Sequence, residues 1–333
     1  MKMRLLLILF AFAFMQLQAQ DTFSIVAVDT LTGEIGSAGA SCIDNTAIAG
    51  GAKIISDVIP GRGAIHTQSY WLAANQLNAR ARMLAGDSPQ QIIDWLVAND
   101  AQNLPGRRQY GIVDFDENGH PRSAAFTGAT SMDWKGHISG GHYAIQGNIL
   151  LHGGILDSME ARFLRQEGTL ADKLMAALQG ANVPGADQRC LNEGVSSLSA
   201  FIRMARPDDQ AQALYLDLNV PQTPYGVEPI DSLQVLYDQW KMITGIKLNN
   251  DASFGNWQLF PNPAGDFLII SGLTSIHEIR SIRILNVAGK LIRSLNNLDN
   301  GQRVDIAELP AGNYFLQLES NKGVCSVRPF IRQ

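Results

Sequence analysis

The clearest pattern along the chain is strand, tight turn, strand, in TFSIVAVDTLTGEIGSAGAS from Thr22 to Ser41. Thr22 to Asp29 is rich in β-branched and aromatic residues, turn chemistry follows around Gly33, and a small-residue strand runs to Ser41. Thr46 to Ser69 reads as strands separated by a Pro60-Gly61 turn. Ala/Leu content and apolar spacing predict a helix over Tyr70 to Leu84, stopped by Gly86. Ser88 predicts the cap of a second helix, with Pro89 at its first position and the stripe Ile92, Ile93, Leu96. Arg108 to Phe115 and Ser123 to Gly128 read as paired strands around DENGHP, and Tyr143 to Leu151 as another strand. Helices follow over Ile155 to Arg165 and Leu170 to Leu178, then strands over Ser196 to Ala205 and Leu214 to Asn219, then a helix over Asp231 to Ile243. Strands interrupted by pairs of adjacent helices predict an α+β class of sheets covered by helices, not a βαβ alternation.

The texture changes twice. Met1 to Gln20 has Lys2 and Arg4, an apolar run from Leu5 to Leu17 and then Ala19. That is the layout of a secretory signal peptide, and the run is short of the roughly 20 apolar residues of a spanning helix. Near the other end, residues 244–256 are polar and Gly/Asn-rich, a linker by composition. Beyond it short strands recur over Trp257 to Phe260, Phe267 to Ser271, Ser281 to Asn286, Lys290 to Ser294, Arg303 to Asp305, Asn313 to Glu319 and Val324 to Phe330. That spacing predicts an immunoglobulin-like β-sandwich. The expected organisation is therefore a leader at 1–20, a first domain at 21–243, a linker at 244–256 and a sandwich at 257–333.

Composition narrows the chemistry. The net charge of −5 over 333 residues is mild and the cations are scattered, which argues against nucleic acid as a partner. Three cysteines, Cys42, Cys190 and Cys325, are too few and odd in number for a disulfide framework; a Cys42–Cys190 bridge and a reactive Cys42 thiol are both open readings. His137, His142 and His152 lie close in sequence but lack HExxH or a Cys pair, so GHISGGH reads as a pocket loop and no metal or cofactor is expected. No phosphate loop and no GxSxG elbow occurs.

Several segments carry a resemblance. TFSIVAVD, GAIHTQS, RRQYGIVD followed by TGA, WKGHISGGHYAIQGNIL and ADQRCLNEGVSSLSAFIRM resemble, in order and spacing, the family catalogued as domain of unknown function 1028, over about Thr22 to Trp240. That family looks like a branch of the N-terminal nucleophile (Ntn) hydrolases, which implies a four-layer αββα domain. FPNPAGDFLII, IRILNVAGKLI and DIAELPAGNYFLQLES resemble the type A C-terminal sorting domain of the type IX secretion system, over about Trp257 to Gln333. This second resemblance implies passage through the periplasm to the cell surface or medium, with the type IX secretion machinery as a partner; a carbohydrate or adhesion module is the competing reading of a small sandwich.

By the first resemblance Thr22 corresponds to the nucleophile. A Thr hydroxyl needs a base beside it, and a terminal α-amine, with a reference pKa of about 7.7–8.0, supplies one. Here Asp21 precedes Thr22, so cleavage after Ala19 or Gln20 leaves that amine in a peptide bond until Asp21 is removed, by self-cleavage or otherwise. Asn148 is the candidate side-chain oxyanion donor, within the stretch Gln146, Gly147, Asn148; His66 and Gln68 are candidates for orienting a substrate, and Arg189 beside Asp187 for holding a carboxylate. The competing reading of each is structural: strand-end packing, backbone pairing, or a surface ion pair. Two main functions follow: an exported amidohydrolase acting on a small amide or peptide, with a homo-oligomer possible, or a non-catalytic secreted binding protein that keeps the fold; a metal-dependent hydrolase using His137 and His142 is a third, lesser reading.

Overall fold

The computed structural model describes residues 22–245, 257–273, 279–286, 290–295, 303–321 and 325–333; the expected leader and nearly all of the expected linker lie outside the described residues. The chain divides into two compact units, Met1–Gln234 and Val235–Gln333.

The first unit is built on the hairpin of β1 (Thr22–Val28) and β2 (Ile35–Ser41), paired from Thr22 opposite Ser41 to Val28 opposite Ile35. Asp29 shapes its turn, accepting from the Leu31 and Thr32 amides (2.8 and 3.2 Å), while Gly33 takes the left-handed conformation (φ 72°). The chain then forms β3 (Ser56–Ile59), β4 (Gly63–Gln68), α1 (Ala73–Leu84), α2 (Pro89–Ala98), β5 (Gln109–Phe115), β6 (Pro121–Thr127), β7 (Gly136–Ser139) and β8 (Tyr143–Gly147). It closes with α3 (Gly154–Arg165), α4 (Leu170–Gly180), β9 (Ser199–Ala205), β10 (Leu216–Val220) and α5 (Pro229–Gly245), the last running across the division between the units.

Two antiparallel sheets result, one ordered β10-β9-β2-β1-β8-β7 and the other β3-β4-β5-β6, and they pack face to face. α1 and α2 cover the smaller sheet through Ala79, Met83, Ile92, Ile93 and Leu96 against Ile65, Tyr110 and Ile112. α3 and α4 cover the larger one, where Gly36 leaves room for Leu174, since a Cβ there would lie 2.4 Å from its Cδ1. This is the four-layer αββα order that the resemblance implies. Capping boxes at Ser88/Gln91 and Thr169/Asp172 start α2 and α4, each satisfying helix-end amides that would otherwise lack partners.

Four local expectations are corrected. Within the stretch read as strands from Thr46 to Ser69, Gly51–Ile55 is a 3-10 helix, entered through left-handed Gly50 and Gly51 (φ 87° and 61°). Gly51 also has no space for a side chain, its Cβ position lying 2.7 Å from Ser199 Cβ. The helix read from Tyr70 begins at Ala73, because Ser69 and Tyr70 are both left-handed (φ 57° and 60°). The strand read to Leu151 stops at Gly147, two residues before Ile149 turns left-handed (φ 51°). The GHISGGH segment, read as a loop, supplies β7 and the turn into β8.

The second unit is a sandwich. Strands β11 (Gln258–Phe260), β12 (Phe267–Ser271) and β15 (Arg303–Asp305) form one sheet; β14 (Leu291–Leu295), β13 (Ile279–Asn286), β16 (Gly312–Ser320) and β17 (Cys325–Arg332) form the other. Trp257, Leu268, Ile270, Ile282, Ile284, Leu316, Leu318 and Phe330 fill the space between them. The buried Trp257 indole N–H donates to Ser326 Oγ (2.9 Å), so the largest core side chain carries no unsatisfied donor.

Cys42, just past β2, is disulfide-bonded to Cys190 in the 3-10 helix Gln188–Glu193, with a Cα–Cα distance of 5.8 Å and a sequence separation of 148. A loop of that length removes much entropy from the unfolded chain. Reduction is expected to destabilise the first domain by about 2–4 kcal/mol. Thermal unfolding of the oxidised and reduced protein measures this; equal midpoints would remove the bridge from the stabilising interactions.

Candidate functional site

Thr22 starts β1 in the middle of the six-stranded sheet and is fully buried. Its carbonyl accepts two hydrogen bonds, from the Gln68 side-chain amide (3.0 Å) and from the Asn148 backbone N–H (3.2 Å). The register that sets Phe23 opposite Gly147 carries on to set Thr22 opposite Asn148, and on its other side Thr22 faces Ser41. Thr22 also lines a narrow, largely apolar crevice with Ser41, Ile43, Ala52 and Ile55. In the full sequence its nitrogen is in a peptide bond to Asp21.

Behind Thr22, polar side chains from both sheets meet and hydrogen-bond in one direction. The Gln68 amide is oriented by the Thr22 carbonyl, which only a nitrogen can approach, so its Oε1 faces Ser24 and accepts the Ser24 hydroxyl proton (2.6 Å). With that proton committed, Ser24 Oγ accepts from Gln146 Nε2 (2.6 Å) and from His66 Nδ1 (2.9 Å). His66 therefore carries its hydrogen on Nδ1, and its bare Nε2 accepts from Ser37 Oγ (2.7 Å). Ser37 in turn accepts from Ser56 (2.7 Å), which accepts from Arg203 (3.3 Å). In the other direction Gln68 donates to Gln109 Oε1 (2.7 Å), and Gln109 donates to Thr127 Oγ1 and to the Gly136 and Gly147 carbonyls (2.9, 3.0 and 2.9 Å). Thr127 lies 2.8 Å from His137 Nδ1.

His66 is fully buried, and desolvation, helped by the nearby Arg203 charge, lowers its pKa to about 3. It is a neutral hydrogen-bond relay from β4 to the facing sheet, where its two ring nitrogens bond Ser24 of β1 and Ser37 of β2. Gly111 belongs to the same unit: a Cβ there would lie 1.8 Å from Gln146 Oε1, so the glutamine amide occupies the space of the missing side chain.

The rim beside Thr22 is tied together by Asp187. This buried carboxylate accepts from the Cys42 backbone N–H (2.8 Å) and from Arg189 at Nε and Nη2 (3.0 and 2.7 Å), and its backbone bridges Leu150. It thus joins the end of β2, the turn after Asn148 and the helix carrying Cys190. A second buried cluster steadies the turn after Gln68. Arg108 donates to the Tyr70 carbonyl and holds Asp100 through Nε (2.7 Å), while Asn75 donates to both Asp100 and the Tyr110 hydroxyl (2.6 and 2.9 Å). Burial opposes ionisation of Asp100, but the Arg108 and amide donors outweigh it and hold the carboxyl well below the usual range.

The residues singled out in sequence come together in graded fashion. Gln68 and Asn148 touch Thr22; His66 and Gln146 stand one bond further back through Ser24 and Gln68; Arg189 reaches the neighbourhood through Asp187 and Cys42. Gly147 pairs with Phe23 on one side and Gly136 on the other, and the place of its Cβ is taken by Leu150 (2.5 Å). His142 stands apart, packed on Tyr143 and Phe163 (ring centroids 5.2 and 5.9 Å), and among the described residues no group of three or more His, Cys, Asp or Glu is arranged to hold a metal. Sequence reading missed Ser24, Ser37 and Gln109. Polar residues two apart from Thr22 on β1 were the available signal for Ser24.

The buried neutral His66 has a measurable consequence. The unfolded chain binds a proton at the ordinary pKa of 6.5 and the native state does not, so stability is full above that pH and declines as pH falls toward 3. Wild-type protein is expected to lose about 2 kcal/mol more than His66→Gln between pH 7 and pH 5. Urea unfolding of both proteins at the two pH values decides it; equal losses would mean that His66 titrates normally.

Residues 22–232 match the family model DUF1028, a family of unknown function, and residues 258–332 match the secretion system C-terminal sorting domain, which marks the chain for secretion or the cell surface. No functionally curated protein matches the chain. Among solved structures, the DUF1028 protein SPO2555 from Silicibacter pomeroyi is similar at a TM-score of 0.53 and 23% identity, covering 66% of this chain and 89% of that one. Two Anbu (ancestral beta-subunit) structures also align at 10% identity: one from Yersinia bercovieri (TM-score 0.38, covering 68% of this chain and 98% of that one) and a Gly-1 mutant from Hyphomicrobium sp. strain MC1 (0.33, 69% and 98%). On the match over residues 22–232, the chain belongs to the DUF1028 family.

Proposed function

We propose that the first domain is an N-terminal nucleophile amidohydrolase whose nucleophile is Thr22, active once Asp21 has been removed. The observation that carries the reading is the placement of Thr22: a hydroxyl residue at the head of the central strand, its carbonyl clamped by Gln68 and by Asn148. The reaction is acyl transfer. Thr22 Oγ1 attacks a substrate amide carbonyl, and the freed α-amine takes the hydroxyl proton and passes it to the leaving amine. Water then hydrolyses the Thr22 ester, returning the hydroxyl and releasing the acid. Asn148 is assigned to the oxyanion as side-chain donor, with Gly147 shaping the strand end. Gln68, Gln146 and His66 are positioning residues that act through the Thr22 carbonyl, and Arg189 is assigned to a substrate carboxylate at the rim.

A second reading rests on the buried Thr22 and on Asp21 ahead of it: a secreted binding protein that keeps the fold without a free terminal amine.

The mature amino terminus separates the two. Amino-terminal sequencing and intact mass of protein exported by its native host are expected to show a chain starting at Thr22. A screen of small amides should then give turnover that Thr22→Ala abolishes and that Asn148→Ala lowers about 10²–10³-fold. A chain fixed at Gln20 or Asp21 overturns the hydrolase and leaves the binding protein.

A further inference from the structure

At the opposite end of β1 lies a second cleft, separate from Thr22 by the length of the strand, roughly 20 Å at the rise of an extended chain. Its volume is about 140 Å³. It is lined by Val28 to Leu31 of the hairpin turn, His142 of the β7–β8 turn, Phe163 of α3, and Leu170 and Lys173 of α4. The Val28 N–H donates to the His142 carbonyl (2.9 Å), which fixes the two turns to each other.

The polar groups in this cleft are few and of opposite kinds. Lys173 is half-buried, yet among the described residues its ammonium makes no ion pair or hydrogen bond, whereas Lys53 and Lys135 each sit on a carboxylate (2.7 and 2.9 Å). Asp29 spends Oδ1 on the turn amides of Leu31 and Thr32, and Oδ2 has no partner among the described residues. No ion pair joins Asp29 to Lys173, so the two charges remain available to something between them. Burial and then the Lys173 charge lower the pKa of His142, whose ring is held against Tyr143 and Phe163. It enters the cleft as a neutral group with one donor and one acceptor.

A half-buried cation without a counter-ion, a carboxylate with one oxygen to spare and the apolar side chains of Phe163 and Leu170 in one cleft match a small zwitterion with an apolar body. We propose that this cleft binds a free amino acid with an aliphatic side chain, its carboxylate on Lys173, its ammonium on Asp29 and its side chain on Phe163 and Leu170. The site needs no turnover at Thr22, so it stands or falls separately from the hydrolase reading.

Titration of the full chain with L-leucine, followed by calorimetry and by the imidazole NMR signals, is the test. Saturable binding at millimolar concentration is expected, with the His142 signals shifting and those of His66 staying in place. Removing one charge from the ligand, as in 4-methylpentanoate or 3-methylbutylamine, is expected to weaken binding at least about tenfold. Lys173→Met and Asp29→Asn should each cost a similar factor, the second because asparagine keeps the turn acceptor while losing the charge. Where a variant is unstable, the single-charge ligands probe the same two contacts on wild-type protein. No saturable binding of L-leucine, or equal binding of leucine and 4-methylpentanoate, overturns the proposal.

Discussion

The layer between the two sheets of the first domain is half polar and half apolar, and the rest of the domain is arranged around that division. Along one face of β1, Thr22 and Ser24 give way to Val26 and Val28. The valines meet Val58, Ala64 and Val113 of the facing sheet in an ordinary apolar core. The serine meets His66, Gln68 and Gln146, which bring in Ser37, Gln109 and Arg203. Gln146 Oε1 is buried without a partner, but the other amides, hydroxyls and the imidazole pair their hydrogens and lone pairs with one another, so each member constrains the orientation of the next. The direction of the whole chain follows from one carbonyl, that of Thr22. A buried polar set of this kind does less to stabilise the fold than the same volume of aliphatic side chains would. It instead fixes where the head of β1 sits.

Much of this was legible from sequence, and what was not has a common cause. The Thr22–Ser41 hairpin, the Ser88 cap, the paired helices and the sandwich strands are set by local chemistry: β-branched runs, capping residues and turn dipeptides. Phe267–Ser271 and Arg303–Asp305 coincide with their expected bounds. Gly136–Ser139 escaped because four residues reading GHIS have no strand pattern of their own and become a strand only through pairing with Tyr143–Gly147. Likewise Gly51–Ile55 reads as strand by its isoleucines, and the left-handed glycines before it decide otherwise. In the site, Ser24 and Gln146 lie 122 residues apart and Ser37 and His66 lie 29 apart, so no window of sequence contains the pairings. Thr22 was nameable through a family resemblance and Asn148 through the Gly-rich stretch around it, whereas Ser37 and Gln109, which carry the same network, had no motif to mark them.

Export and covalent chemistry agree. The sorting domain marks the chain for secretion or the cell surface, where a bridge between Cys42 and Cys190 persists, and that bridge closes on the corner next to Thr22. Asp187 reinforces the same corner without covalent help, holding the Cys42 amide and the Arg189 side chain with one carboxylate. The rim of the candidate site is thus cross-linked twice, once by sulfur and once by charge.

Gly111 and Gln146 form a single steric lock across the two sheets. Because the amide of Gln146 sits where a side chain at 111 would begin, any residue larger than glycine at 111 displaces that amide. Any side chain at 111 demands a shorter residue at 146, and a shorter residue at 146 withdraws a donor from Ser24. A side chain gained at 111 is therefore felt at Ser24, through the amide it pushes aside. An engineer wishing to retune the head of β1 must begin by redesigning both.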